Sequence, residues 1–238
     1  TDDLITVGAG IDLADKSFTL GIWTKMGGDG DAITQDDLSI GYNADGSFSF
    51  TFGGSALTTA IYSDADTWHD WTVTYDAVDN TRVIYRDGVE VARDTAAANY
   101  TGSGEITLGA GFTGTLDEAR VYERAITNEE VIELHNGIAR DNTDLSLYLP
   151  MDEQFHITAN DLSGQGNHGT LVADAFWNPS ESADTATLLY DTEVITITVN
   201  PVNDQIVLTV PTAQALMEDQ RVRIEGIVVT EPSDLTAE

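Results

Sequence analysis

Apolar and polar residues alternate over much of the N-terminal half of the chain. Phe18, Leu20 and Ile22 fall at every second position, and so do Phe48, Phe50 and Phe52, with Ser47, Ser49 and Thr51 between and before them. His69, Trp71, Val73 and Tyr75 repeat the pattern, and Ile106, Leu108 and Ala110 do so once more. A period of two is that of a strand with one face buried, so each run predicts a half-buried strand. Between Val83-Ile84-Tyr85-Arg86 and Val89-Glu90-Val91 stands Asp87-Gly88, a pair suited to the positive φ angles of a two-residue hairpin turn. Turn residues recur at short intervals, which predicts an antiparallel β-sandwich.

One segment departs from this rule. Thr127 and Glu130 have the spacing of a capping box, and Ile126 with Val131 that of a hydrophobic staple. Val131 and Leu134 then share a face before Gly137, so a short helix with a glycine stop is expected on the sandwich rim. After Asp144 the texture changes again. Leu145-Ser146-Leu147-Tyr148-Leu149 reads as a strand, and Asn160 to Gly169 as a polar loop. The stretch from Pro179 to Asp184 reads as a linker, followed by strands at Ile195-Ile197-Val199 and Ile206-Leu208-Val210.

Composition narrows the class of protein. With 41% hydrophobic residues among 238, the chain can build a core. It has no cysteine, so neither disulfides nor thiolate metal sites hold it together. No stretch has the roughly 20 apolar residues of a membrane helix, so membrane insertion is not expected. Nor does a basic leader precede an apolar run, and Thr1-Asp2-Asp3 reads as a cut inside a longer protein.

Ten Lys+Arg against 41 Asp+Glu give a net charge of −31. That surface repels phosphate backbones, which excludes nucleic acid as an expected partner. It also repels itself unless salt or bound cations neutralise it. Short carboxylates beside Gly, Asn and Ser in turns suit Ca²⁺, which takes oxygen ligands from flexible loops. Salt adaptation, in which the acidic residues hold water, is the other reading of the same charge.

Catalytic signatures are missing. His69, His135, His156 and His168 are scattered without zinc-ligand spacing. There is no Gly-x-Ser-x-Gly elbow and no phosphate-binding glycine loop. A retaining glycosidase needs two carboxylates about 5 Å apart on one surface. No strand run carries such alternating carboxylates, and Asp117 and Glu118, being adjacent, point to opposite faces of a regular strand. A non-enzymatic protein is expected. The best local ligand candidate is the acidic loop Gly27-Gly28-Asp29-Gly30-Asp31 with Asp36 and Asp37 after it. Glycines let the backbone bend there, and the carboxylates are close in sequence; a solvated loop is the plainer alternative. Trp23, Trp68 and Trp71 read as core rather than as sugar platforms, while Trp177 stays open.

Several motifs occur in a familiar order: Phe18-Thr19-Leu20-Gly21-Ile22-Trp23, Trp68-His69-Asp70-Trp71-Thr72-Val73, Tyr85-Arg86-Asp87-Gly88, and Gly114-Thr115-Leu116-Asp117-Glu118-Ala119-Arg120-Val121-Tyr122. Together they resemble the laminin-G-like (concanavalin A-like) jelly roll over residues 1–138. Arg124-Ala125-Ile126-Thr127-Asn128-Glu129-Glu130-Val131 is similar to the element that closes that domain. The resemblance implies an all-β fold of two curved antiparallel sheets, often with a bound calcium ion, and usually binding rather than catalysis.

Residues 145–177 come out of order in this frame. Asp161-Leu162-Ser163-Gly164-Gln165-Gly166-Asn167-His168-Gly169 resembles the loop that normally opens such a domain. Either it begins a truncated second copy, or it folds back to supply a strand of the first sandwich, as in a circular permutation. An unfilled strand slot would leave a bare edge, which favours folding back. In that case the two motif segments meet at one rim, making Asp117, Asp161 and Asn167 candidate calcium ligands.

The remainder resembles the cadherin-like, immunoglobulin-like repeats of large bacterial (RTX-type) adhesins, carried by Ile195-Thr196-Ile197-Thr198-Val199-Asn200-Pro201-Val202-Asn203-Asp204. Calcium stiffens the junctions of such repeats, so Asn203, Asp204, Glu218 and Asp219 are the candidates for a linker ion. The expected organisation is a jelly roll over 1–177 and a partial extender segment over 178–238, flanked by other domains of a secreted adhesin. Its expected function is calcium-dependent binding of an extracellular glycan or other cell-surface ligand. A spacer stiffened by calcium, and an accessory domain of a secreted polysaccharide-degrading enzyme, are the alternatives.

Overall fold

The computed structural model describes residues 3–137, 142–153 and 155–178. The residues beyond 178, on which the expected extender segment and its candidate ligands Asn203, Asp204, Glu218 and Asp219 fall, lie outside the described residues. Those described form two antiparallel sheets packed face to face. The six-stranded sheet contains β2 (Phe18–Met26), β7 (Trp68–Asp76), β8 (Thr81–Arg86), β9 (Val89–Thr95), β11 (Gly114–Tyr122) and β12 (Leu145–Leu149), in the order β12-β11-β2-β7-β8-β9. The eight-stranded sheet contains β1 (Leu4–Val7), β3 (Gly30–Gln35), β4 (Leu38–Tyr42), β5 (Ser47–Phe52), β6 (Ser55–Ile61), β10 (Ile106–Leu108), β13 (Thr158–Ala159) and β14 (Gly169–Val172). Its order is β13-β14-β1-β10-β3-β4-β5-β6. This is the all-β jelly-roll sandwich.

Alternation decides which residues enter the core. Phe18, Leu20 and Ile22 of β2, Phe48, Phe50 and Phe52 of β5, and Trp71, Val73 and Tyr75 of β7 are all buried between the sheets. Aromatic contacts dominate the centre: Phe48 stacks on Trp71 at 4.0 Å between centroids, and Phe18 meets Tyr75 at 5.3 Å. The Tyr42 hydroxyl accepts from Trp71 Nε1 at 2.6 Å and pairs with Thr24 Oγ1 at 2.9 Å, so the buried polar tips of these rings are satisfied. Trp23 and Trp68, in contrast to Trp71, are only half-buried.

One charged group crosses the core. Arg82 of β8 is 0% exposed. Its guanidinium donates to Asp94 at 2.6 and 2.9 Å, to the Ser55 carbonyl at 2.9 Å and to the Phe50 carbonyl at 3.3 Å. It also lies 5.0 Å from the centre of the Phe52 ring. The planar fork of donors thus ties the β8–β9 edge of one sheet to β5 and β6 of the other.

The local signals act as the physical chemistry requires. Asp87 and Gly88 adopt φ of 52° and 75° in the two-residue turn between β8 and β9. Helix α1 (Asn128–His135) begins with a complete capping box, Thr127 accepting from the Glu130 backbone N–H and Glu130 reaching back to that of Thr127. Arg124 grips the same Glu130 carboxylate at 2.6 and 2.8 Å. Ile126 and Val131 pack with Val83, Tyr85, Tyr122 and Leu145 on the outer face of the six-stranded sheet, and Gly137, at φ 65°, ends the helix.

Residues 145–172 return to the body of the sandwich. Strand β12 pairs with β11, and β14 lies antiparallel to β1 with Ile5 opposite Leu171 and Val7 opposite Gly169. One stretch of chain therefore covers an edge in each sheet.

Candidate functional site: a cleft at the rim of the sandwich

Pairing between β11 and β12 runs only from Ala119 to Tyr122. The other half of β11 instead lines a cleft of about 450 Å³ that opens where the two sheets part. Leu4 and Ile5 of β1, Leu108 of β10, Leu116 of β11 and Leu171 of β14 give it an apolar wall, and Phe112 adds an aromatic one. Asp3, Asp117, Asp152, Glu153 and Asp174 contribute carboxylates, and no Lys or Arg lines it. Phe176 and Trp177 complete the rim, with Phe176 78% exposed.

These groups are held in place. The indole of Trp177 donates to the His156 carbonyl at 2.8 Å, and Asp3 accepts from the Asp174 backbone N–H at 3.0 Å. Glu153 accepts from the backbone and side-chain nitrogens of Asn160 through Oε1, at 2.7 and 2.8 Å. Its Oε2 is shielded from solvent and has no hydrogen-bond donor among the described residues.

Asp117 reaches the cleft through an irregularity in β11. The register against β2 shifts between Asp117 and Arg120, and Glu118 sits at φ 56°, a left-handed conformation for a residue with a side chain. This is a β-bulge, the device that re-aims side chains next to binding sites. Strict alternation across Asp117 and Glu118, expected from the sequence, does not hold. Asp117, only 4% exposed, lines the cleft and accepts from the Glu118 N–H at 3.0 Å. Glu118 pairs with Arg120, whose guanidinium covers the Tyr148 ring at 4.1 Å, and Tyr148 returns a hydrogen bond to Glu118 at 3.2 Å. The bulge is thus fixed by an ion pair and an aromatic ring on β11 and β12.

The structure places the other candidate residues elsewhere. Asp161 and Asn167 do come together, but in a staple within the 160–169 loop. Asp161 accepts from the N–H groups of Tyr148, Ser163 and Asn167 at 2.9, 2.9 and 2.8 Å and from the Ser163 hydroxyl at 2.8 Å. Burial works against its charge, yet these donors hold its pKa below the usual carboxylate value. Four donors occupy the lone-pair directions a metal would need. Asn167 is likewise committed, its side-chain nitrogen donating to the Ser146 carbonyl at 2.8 Å. Neither lines the cleft with Asp117.

The pairs Asp29/Asp31 and Asp36/Asp37 sit at opposite ends of β3, roughly 20 Å apart for a six-residue strand. They form no common site. The glycines of the first pair serve close backbone approach: a Cβ on Gly30 would lie 2.3 Å from the Gly111 carbonyl oxygen, and one on Gly41 2.3 Å from that of Gly30. Gly27 and Gly28 both donate to the Thr113 carbonyl, at 2.9 and 2.8 Å. Burial pushes the Asp31 carboxyl up, partly offset by a hydrogen bond from Ser39. Asp36 and Asp37 form the tight turn to β4, and Asp37 caps the Gly53 N–H at 2.8 Å. Reading along the sequence missed Asp3, Phe112, Asp152, Glu153, Asp174 and Phe176; of the cleft residues it singled out only Asp117, as a calcium candidate, and Trp177, which it left open.

Among the described residues, no three His, Asp or Glu side chains converge into a preformed metal cluster. No helix among them is long and apolar enough to cross a membrane.

Two antiparallel sheets packed as a jelly roll define the concanavalin A-like class of sandwich. Residues 1–132 match the concanavalin A-like lectin/glucanases superfamily (its laminin-G type 3 group), and the chain belongs to that family. No curated protein matches it. Among solved structures it is similar to a Bacteroides ovatus protein designated a candidate carbohydrate binder, at 17% identity and a TM-score of 0.57. That match covers 71% of this chain and 56% of the other, so this chain spans little more than half of that protein's length. A pentraxin from Limulus polyphemus matches at 14% identity and a TM-score of 0.40, covering 59% of this chain and 85% of the pentraxin.

Proposed function

We propose that this chain is a non-catalytic carbohydrate-binding module of a secreted bacterial surface adhesin, and that its ligand occupies the rim cleft. One observation carries the reading: an exposed aromatic residue, Phe176, is among the residues lining a ligand-sized cleft that has an apolar wall and whose charged groups are all carboxylates. Sugars offer an apolar ring face and a rim of hydroxyl donors, which such a surface matches. The designation of the Bacteroides ovatus protein as a candidate carbohydrate binder supports the same reading.

Calcium is the cation these residues would attract: Asp3, Asp117, Asp152 and Glu153 contribute hard carboxylate oxygens to the cleft lining without forming a preformed cluster, and the shielded Glu153 Oε2 lacks a donor among the described residues. Bound calcium would supply charge neutralisation and coordination of sugar hydroxyls. Asp117, fixed by the bulge, and Glu153, fixed by Asn160, would hold it.

A glycan array probed with the full chain in calcium and in chelator tests the proposal. Retention of one saccharide class, reduced by chelator and by Phe176→Ala, is the expected result. Absence of binding in both conditions favours the spacer role, and hydrolysis of a bound glycan would overturn the non-catalytic assignment.

A further inference from the structure

The outer face of the six-stranded sheet carries a buried carboxylate that the cleft does not use. Asp70 of β7 is 3% exposed, beneath helix α1. Its Oδ2 lies 3.4 Å from Nδ1 of His135, the last residue of the helix. Neither atom has an aligned hydrogen-bond partner among the described residues, and nor does Thr72 Oγ1 two residues along the same face. The His135 ring stacks on Trp23 at 5.5 Å between centroids and 13° between planes, and Trp23 pairs with Asp70 across β2 and β7. Carboxylate, imidazole and indole therefore form one layer between helix and sheet.

We propose that Asp70 and His135 form a proton-operated clasp: while the pair holds one proton, α1 is fastened to the sheet, and loss of that proton loosens the helix. A buried carboxylate with an oxygen that lacks a donor is costly unless an opposite charge faces it. An imidazolium at 3.4 Å supplies that charge and also benefits from its place at the helix C-terminus.

The surrounding charges reinforce this state. Asp87, in the β8–β9 turn, adds a second negative charge on the His135 side and itself binds His69 Nδ1 at 2.8 Å. Arg120 of β11 acts on Asp70 from the other side but is engaged by Glu118. The close approach of the Asp70 carboxylate holds the His135 pKa above the usual imidazole value against the opposing effect of burial. Burial, only partly offset by His135, raises the Asp70 carboxyl as well.

Both directions give the same sign. A folded state with raised pKa values holds more protons than the unfolded chain, so its stability falls as pH rises. The contribution of the clasp proton is fully present below the ordinary imidazole value of 6.5 and is lost as pH rises through the raised His135 pKa. The raised Asp70 carboxyl adds a separate fall above 3.8, where the pair goes from two protons to one.

The test follows His135 by NMR titration of its imidazole carbons in the full chain, alongside amide hydrogen exchange of α1 corrected for intrinsic rates. His135 is expected to titrate above 6.5 in the wild type and to fall back toward that value in Asp70→Asn. Linkage requires the protection of α1 to drop, across the titration, by ten raised to the power of the measured shift: about threefold for half a unit. His135→Arg, which keeps a positive charge at high pH, is expected to remove the pH dependence without loss of the helix. A His135 pKa at or below 6.5, a shift that survives Asp70→Asn, or α1 protection that is flat through the titration would overturn the clasp.

Discussion

Ile5 faces Leu171 across β1 and β14, two strands joined from opposite ends of the described sandwich. Next to them, Gly169 pairs with Val7, and a Cβ at Gly169 would lie 2.5 Å from Ile5 Cγ2, 3.2 Å from Ala159 Cβ and 3.3 Å from Leu149 Cδ1. The returning segment is therefore seated by steric fit against both sheets. Gly169→Val is expected to cost about 1–3 kcal/mol through overpacking. A urea denaturation midpoint unchanged from wild type would mean that β14 is not seated against β1 in solution.

Arg82 gives a second test of the sandwich. Replacing it with Met keeps an unbranched side chain but leaves the Phe50 and Ser55 carbonyls without their donor. An acceptor left dry costs about 1–3 kcal/mol, so the loss is expected to exceed that of an ordinary surface change several-fold. Arg82→Lys should rescue little, because its three donors leave from one nitrogen and lack the spread by which Nε, Nη1 and Nη2 of the fork reach Asp94 and the two carbonyls. Equal stability of the Lys variant and the wild type, measured by thermal or urea unfolding, would show that the fork geometry is not what matters.

Glu130 supplies a pH dependence at the acid end. Hydrogen bonding to Arg124, opposed by burial and aided by the Thr127 N–H, lowers its pKa from 4.5 to about 2. A depressed carboxylate contributes stability that is present above about 4.5 and lost as pH falls through about 2. The stability difference between wild type and Glu130→Gln should therefore be constant above 4.5 and shrink toward pH 2. A difference that stays the same down to pH 2 would remove the role assigned to the Arg124–Glu130 pair.

Much of this was legible along the chain, because strand alternation, the Asp87-Gly88 turn and the capping box are local patterns written in neighbouring residues. The cleft was not. Asp3, Asp117, Asp152 and Trp177 come from four distant segments, and only the pairing of β14 with β1 and the early end of β12 bring them to one rim. The bulge at Glu118 hid there too, since an adjacent Asp-Glu pair in sequence looks like ordinary alternation until Arg120 and Tyr148 fix the irregularity. The glycine-rich run around Asp29 and Asp31 answers to backbone crowding among Gly30, Gly41 and Gly111, which reading along the chain does not show. The segment from Asn160 to Gly169 reads along the chain only as a polar loop, and its order comes from the hydrogen bonds that Asp161 accepts from Ser163, Asn167 and Tyr148.

Calcium should raise the melting temperature of the chain if the cleft carboxylates bind it, by about 2.7 kcal/mol of stabilisation at a hundredfold excess over its dissociation constant. Asp152→Asn with Glu153→Gln should abolish that increment. Identical melting curves in calcium and in chelator for the wild type would exclude this part of the proposal and leave sugar binding to be tested by itself.

The most direct measurement is calorimetric titration of the array-selected saccharide into wild type and Phe176→Ala. Phe176 is so exposed that its removal should shift stability by no more than about 0.5 kcal/mol. As an aromatic anchor, its loss should weaken binding at least roughly fivefold. Unchanged affinity in the Phe176 variant, or no saccharide that binds the wild type at all, would contradict the cleft as the ligand site.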